Sequence, residues 1–204
     1  MREVVYSSFG GPEVLTVRER PTPAPDPGTI LIAVSAAGVN FADVMARMGL
    51  YPDAPKPPLV PGYEVTGVVD AVGAGVSRLR VGDRVVALTR FGGYASHVVV
   101  PEAYVFPVTS ALPDTTVAAM PVNYLTASLA LYRLANLARG ETVFVHSAGG
   151  GVGMAAVQLA RLRGARIIGT ASPSKHEQLR AYGIDHLIDS HLSGDALTAA
   201  VRSV

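Results

Sequence analysis

The most restrictive feature of this sequence is the stretch TVFVHSAGGGVG at residues 142–153, which runs directly into MAAVQLAR at 154–161. An apolar, β-branched run leads into a glycine cluster, and the cluster opens an amphipathic helix. The next apolar run starts at Arg166. Such an order predicts a strand, a tight turn, a helix and a second strand parallel to the first. The turn has its own chemistry. Gly150 and Gly151 let the backbone approach a diphosphate with no Cβ in the way, and Gly153 lets the helix pack close to the strand. With Gly149 and Val152 they leave the unpaired N–H groups of the helix start facing an anion. A glycine triplet alone would also suit a flexible turn; the flanking strands and helix are what point to dinucleotide binding. Ala148 stands where the full G-x-G-x-x-G pattern has its first glycine.

The end of the following strand decides which dinucleotide. An NAD site places a carboxylate there for the ribose hydroxyls. Here Ala171 holds that position and no acid occurs until Glu177, whereas Ser172, Ser174 and Lys175 surround it. A 2′-phosphate needs a cation and donors, so the pattern favours NADP(H). Ser174 and Glu177 also fit an S-x-x-E capping box, so Ser174 is read as a helix cap, a phosphate contact, or both.

The rest of the chain divides into two grammars. Residues 1–118 read as β-rich, with short apolar runs at 30–34, 67–72, 85–88 and 97–100, and one helix over 42–48 capped by Gly49. The run PTPAPDPG at 21–28 cannot be helical, because each proline removes a donor and biases its predecessor toward extended backbone. From residue 114 the pattern alternates. Asp114 is a candidate N-cap for a short helix, and a longer helix is expected over 124–136. Strands are expected at 142–146, 166–170 and 186–189, and helices at 152–163, 175–182 and 196–202. Residues 1–118 form one expected domain and 119–204 a second, incomplete one: three strands are half of a dinucleotide-binding sheet, so the sequence reads as a fragment of a longer protein.

Composition excludes several classes. The 204 residues contain no cysteine, which removes disulfides, thiolate nucleophiles, iron–sulfur ligation and sulfur-ligated zinc. Hydrophobic residues at 49% are ample for a core. Seventeen basic against sixteen acidic residues show no basic stripe, so no nucleic-acid partner is expected. No apolar run is long enough for a membrane span and no signal peptide opens the chain, which reads as a cytoplasmic protein. His97, His146 and His186 read as strand residues, and a metal pair of His186 with His191 is disfavoured.

Taken together, PGYEVTGVVDAVG at 61–73, VGDRV at 81–85 and the loop and helix at 148–161 resemble the medium-chain dehydrogenase/reductase superfamily, in its zinc-free quinone oxidoreductase (zeta-crystallin-like) branch. NFADVMARMGLY at 40–51, HSAGGGVGMAAVQ at 146–158 and GTASPSKH at 169–176 look closest to its vesicle-amine-transport-protein-like members. The resemblance implies an α/β protein: a GroES-like β-rich domain, then the first half of a Rossmann doubly wound parallel sheet. It places Asn40 at the first zinc-ligand position of zinc-dependent relatives, and Tyr63 where their histidine precedes Glu64, which agrees with the missing thiols: no metal site. It also implies that Asn40 and Tyr51 face the nicotinamide, with Tyr63 a third candidate from its position; that Thr126 lies beside the cofactor; and that Ser190 replaces a tyrosine near the adenosine. The implied activity is NADPH-dependent reduction of a quinone or enone substrate by a homodimer. Rival readings are a dinucleotide-binding protein acting through vesicle, membrane or RNA association, and an enoyl-reductase module of a polyketide synthase.

Overall fold

A computed structural model describes residues 1–204. The chain divides into two compact units, Met1–Val122 and Asn123–Val204.

The first unit opens with a ribbon of β1 (Arg2–Tyr6) and β2 (Leu15–Glu19), antiparallel with Val4 opposite Val17. Glu3 is buried between Arg18 and Arg20, at 2.6 and 2.8 Å. Burial opposes its charge, but the two guanidinium groups hold its carboxyl below the usual range. Residues 21–26 have no regular structure, as the prolines dictate. Then follow β3 (Thr29–Ala37), α1 (Phe41–Arg47), β4 (Glu64–Val72), β5 (Arg84–Leu88), β6 (His97–Pro101) and β7 (Val105–Pro107). The strands form one antiparallel sheet in the order β6-β3-β4-β5-β7. Its core is built from alternating β-branched residues, among them Ile30 and Ile32 on β3 and Val65 and Val69 on β4, all at most 1% exposed. β3 is irregular between Val34 and Ala36, and there Gly67 crosses so close that a Cβ would lie 2.0 Å from the Ala33 carbonyl oxygen. Gly49, at φ +75°, ends α1 as its sequence position predicts.

One sequence expectation fails here. Asp114 is not an N-cap: α2 (Asp114–Ala118) is preceded by Pro113, and Asp114 sits inside the first turn. Its carboxylate instead accepts from Arg84 Nε at 2.8 Å, an ion pair that outcompetes a local cap.

The helix expected over 124–136 is two conformations in series. α3 (Pro121–Ser128) begins on a proline, and Leu129–Leu134 widens into a π-helical stretch that ends before Asn136 at φ +50°. In the second unit β8 (Thr142–Val145), α4 (Gly151–Leu162), β9 (Arg166–Ala171), α5 (His176–Arg180), β10 (His186–Asp189) and α6 (Gly194–Arg202) alternate. The three strands are parallel in the order β10-β9-β8. His146 lies just beyond β8 rather than in it. The core between sheet and helices uses small side chains of α4, Ala155, Val157 and Ala160, against Ile167 and Leu179. No helix is long and apolar enough to cross a membrane.

Candidate functional site

Two groups of residues carry chemistry, one in each unit. In the second unit the chain leaves β8 and reverses at Ser147, a non-glycine residue at φ +52°. Such a conformation needs outside support, and β9 supplies it. The Ser147 N–H donates to Thr170 Oγ1 at 3.0 Å, and the Ala148 N–H to the Thr170 carbonyl at 2.8 Å. Ala148 is fully buried, its Cβ filling the space beside Gly169, where a further Cβ would come within 2.9 Å. Ala148 in place of the pattern's first glycine therefore closes the turn by packing.

Gly150 is the N-cap of α4, and its N–H closes the turn on the Ser147 carbonyl at 2.8 Å. The first intrahelical bond runs from the Met154 N–H to Gly150, so the N–H groups of Gly151, Val152 and Gly153 open the helix without intrahelical partners. A Cβ on Gly153 would lie 2.3 Å from the Ser147 carbonyl oxygen and 2.9 Å from Ala148 Cα. Gly153→Ala is accordingly expected to force the turn and helix apart, costing about 1–3 kcal/mol of stability; a melting temperature equal to wild type would contradict this packing.

Beside the turn lies a cavity of about 240 Å³ lined by Ser147, Gly149, Gly150, Ala171, Ser172, Lys175 and Ser190. β9 delivers Ala171 to it, a 3₁₀ turn over Pro173–Lys175 with Ser172 as its N-cap delivers the serine and the lysine, and the Ser190 N–H is tied to the Ala171 carbonyl at 2.9 Å. Lys175 reaches over Gly149: a Cβ there would touch Lys175 Cδ at 3.0 Å and would lie 3.8 Å from Nζ. Ser174 does not form the capping box with Glu177. α5 starts one residue later, at His176, with Lys175 as N-cap and no side-chain cap, and Ser174 Oγ lies 3.4 Å from Ser172 Oγ. Thr126 is exposed on α3 and does not line this cavity. His186 Nε2 meets Arg166 Nη2 at 2.8 Å and His191 Nδ1 meets Asp189 at 2.7 Å, so each has its own partner.

The first unit holds a polar cluster at the start of α1. The Asn40 N–H donates to Asp43 Oδ2 at 2.8 Å, and the Asn40 side-chain amide donates to Glu64 Oε1 at 2.8 Å. Glu64, 1% exposed, also accepts from the Val122 N–H at 2.7 Å; burial pushes its carboxyl above the usual range even against these two donors. Asp43 does more than secure the helix. It also accepts from the Gly62 N–H at 2.9 Å and from the Tyr94 hydroxyl at 2.9 Å.

Next to Gly62, Tyr63 stacks edge-on with Tyr51, ring centroids 6.2 Å apart, and tilts against Phe91 at 5.1 Å. Its buried hydroxyl has no hydrogen-bond partner. The Tyr51 side chain acts on it electrostatically without reaching hydrogen-bond geometry; burial first, then Tyr51 and Asp43, push the Tyr63 phenol well above its ordinary value. Tyr63 thus stays protonated across the ordinary pH range and is a hydrogen-bond donor, not an acid. The structure brings Asn40, Tyr51 and Tyr63 into one unit and the phosphate-loop residues into the other. Glu64, Tyr94 and Tyr6 were missed as members of the cluster. Asp43, one turn after Asn40, reads from sequence as securing the helix, which it does, but its bonds to Gly62 and Tyr94 were missed; the strand residue Tyr6 carried no signal.

Residues 26–110 match the alcohol dehydrogenase GroES-like domain. Over 194 residues the chain is 46% identical to the human synaptic vesicle membrane protein VAT-1 homolog, covering 94% of this chain and 49% of that protein. It is 38% identical to the rat quinone oxidoreductase, covering 94% of this chain and 59% of the relative. Among solved structures, the quinone oxidoreductase of Thermus thermophilus, determined alone and with NADPH, superposes with a TM-score of 0.82 at 39% identity, covering 92% of this chain and 59% of that one. The chain is thus similar over most of its length to quinone oxidoreductases of the medium-chain dehydrogenase/reductase superfamily.

The division between a β-rich unit and a parallel α/β unit matches the fold of that superfamily. The chain spans about half the length of the first curated relatives it matches, at 49% of the human protein. This chain has asparagine at position 40 and tyrosine at position 63, neither carrying a thiol or an imidazole.

Proposed function

We propose that the protein is an NADPH-dependent oxidoreductase that reduces quinones or α,β-unsaturated carbonyls without a metal. One observation carries the reading: the cavity beside the glycine turn is edged by Lys175, Ser172 and Ser190, with Ala171 where a ribose-binding carboxylate would stand. The residues present fit the cofactor. Glycines at 149, 150 and 151 bring no side chains of their own to the turn, and the α4 N–H groups suit a diphosphate. Lys175, with Ser172, Ser174 and Ser190, suits a 2′-phosphate. Thr126 is assigned a contact with the cofactor on the resemblance alone.

Bound NADPH would supply a hydride to the substrate carbon. The chain's part is to hold the substrate oxygen. Tyr63 and Tyr51 donate hydrogen bonds to the oxygen as it gains negative charge. Asn40, clamped by Glu64 and Asp43, is fixed in orientation at the start of α1. Because Tyr63 is hard to ionise, the proton that completes the reduction comes from solvent. The active form is proposed to be a homodimer, as this branch of the superfamily implies.

The test is consumption of NADPH in the presence of a panel of quinones and α,β-unsaturated ketones. Turnover above background with at least one is expected; no oxidation across the panel would refute the reading. The relatives described as synaptic vesicle membrane proteins favour a second reading, a dinucleotide-binding protein that associates with membranes. Cosedimentation with neutral and anionic liposomes, without turnover, would select it.

A further inference from the structure

The imidazole of His176 reaches back along its own chain: Nε2 lies 2.9 Å from the carbonyl oxygen of Ala171. A carbonyl only accepts, so Nε2 carries the proton and donates. Ala171 is the residue that stands where a ribose-binding carboxylate would be, and its carbonyl also accepts from the Ser190 N–H at 2.9 Å. Both lone pairs of that oxygen are thereby taken. The histidine bond closes residues 171–176 into a loop, inside which the Lys175 N–H donates to the Ser172 carbonyl at 2.9 Å.

This loop carries the polar side chains of the cavity beside the glycine turn, and packing does little to hold it. Pro173, Ser174 and Lys175 are exposed, and α5 begins at His176 without a side-chain cap. Lysine is a point charge on a flexible stem, and a group that must meet a ligand binds it better when its backbone is held in place beforehand. Lys175 passes over Gly149, its Cδ 3.0 Å from the position a Cβ would take there, so its course depends on where its own backbone is set. His176 is half-buried and does not line the cavity. It can affect a ligand there only through the loop it ties.

We propose that His176 is a positioning residue for cofactor selection: its Nε2–H bond to the Ala171 carbonyl fixes the turn that carries Ser172, Ser174 and Lys175, and so holds the Lys175 ammonium where the 2′-phosphate of NADPH binds. The proposal rests on the reading of this cavity as part of an NADPH site. To that reading it adds a residue that sets the preference between NADPH and NADH without touching either.

The experiment titrates the protein by calorimetry with two probes that lack nicotinamide: 2′,5′-ADP, which carries the 2′-phosphate, and 5′-AMP, which does not. The variants are His176→Leu, which keeps apolar bulk and loses the donor, His176→Gln, whose amide N–H has a similar reach, Lys175→Ala, and His176→Leu combined with Lys175→Ala. His176→Leu is expected to bind 2′,5′-ADP about tenfold more weakly and 5′-AMP within about threefold of wild type. His176→Gln should stay within about threefold for both probes. In the Lys175→Ala background His176→Leu should cost little more, because the histidine acts through the lysine. All variants should melt within about 10 °C of wild type. A larger fall for His176→Leu would make the histidine a fold residue and overturn the proposal. Equal losses for the two probes, no recovery with glutamine, or additive losses in the double variant would overturn it as well. A wild type that binds 2′,5′-ADP no better than 5′-AMP overturns the proposal and the phosphate assignment together. If 2′,5′-ADP binds in a His176-dependent way and NADPH is not consumed with any quinone or enone, the positioning role stands and the reduction reading falls.

Discussion

Replacing Lys175 by glutamate is expected to weaken NADPH binding about 100-fold while leaving NADH within about threefold of wild type. Lys175 is the one cation among the residues edging the cavity beside the glycine turn, where the other polar side chains are the hydroxyls of Ser147, Ser172 and Ser190. A charge-assisted hydrogen bond to phosphate contributes about 1.5–3 kcal/mol. Reversing the charge removes that contribution and adds repulsion, which together exceed the roughly 2.7 kcal/mol that corresponds to 100-fold. NADH lacks the extra phosphate, so most of its binding survives through the main-chain amides of α4. Lys175→Arg is the control. Guanidinium suits a phosphate at least as well as ammonium does, and loss with this variant points to crowding over Gly149, where Lys175 Cδ already sits 3.0 Å from the Cβ position. Titration of both reduced coenzymes by fluorescence or calorimetry decides it. Equal losses for NADPH and NADH would refute the phosphate assignment of Lys175.

The parts of this protein that sequence made legible are those where one residue type has one physical use. Glycine at 153 is such a case, because only a missing Cβ lets α4 approach the Ser147 carbonyl. The proline run at 21–28 is another, since it cannot donate into any ladder. Gly49 after α1 is a third. The misreadings fall where one residue type has several competing uses. Asp114 and Ser174 both look like caps by local spacing, yet Asp114 is taken by Arg84, thirty positions away in sequence, and Ser174 falls inside a 3₁₀ turn that shifts the helix start to His176. A long-range partner decides Asp114 and the conformation of the local turn decides Ser174, and cap spacing alone contains neither. The polar cluster was half legible. Asn40 and Tyr63 stood out by position, whereas Tyr6 sits among valines on a strand and becomes distinctive only once its hydroxyl is seen to lack a partner.

Asp43→Ala is expected to be the most destabilising single change in the first unit. The carboxylate receives the Asn40 N–H and the Tyr94 hydroxyl on Oδ2 and the Gly62 N–H on Oδ1, all between 2.8 and 2.9 Å. Asp43 is 5% exposed, so water does not replace it when the side chain is cut back. Each donor left buried without an acceptor costs about 1–3 kcal/mol. Three of them amount to roughly 3–9 kcal/mol, a large share of the ~5–15 kcal/mol that holds a typical domain together. The melting temperature should fall by at least about 10 °C. Asp43→Asn should cost markedly less. Its single carbonyl oxygen still accepts, and its NH₂ can donate to the Tyr94 oxygen once that hydroxyl rotates. Tyr94→Phe, which removes one donor together with its need, should be milder again. The order Ala, then Asn, then Phe therefore separates a hub of three donors from a simple helix cap, whose loss costs about 1 kcal/mol. An Asp43→Ala variant within about 1 kcal/mol of wild type would reduce Asp43 to that cap. The backbone of Asn40, and that of Gly62 next to Tyr63, would then have to be held by something other than this carboxylate.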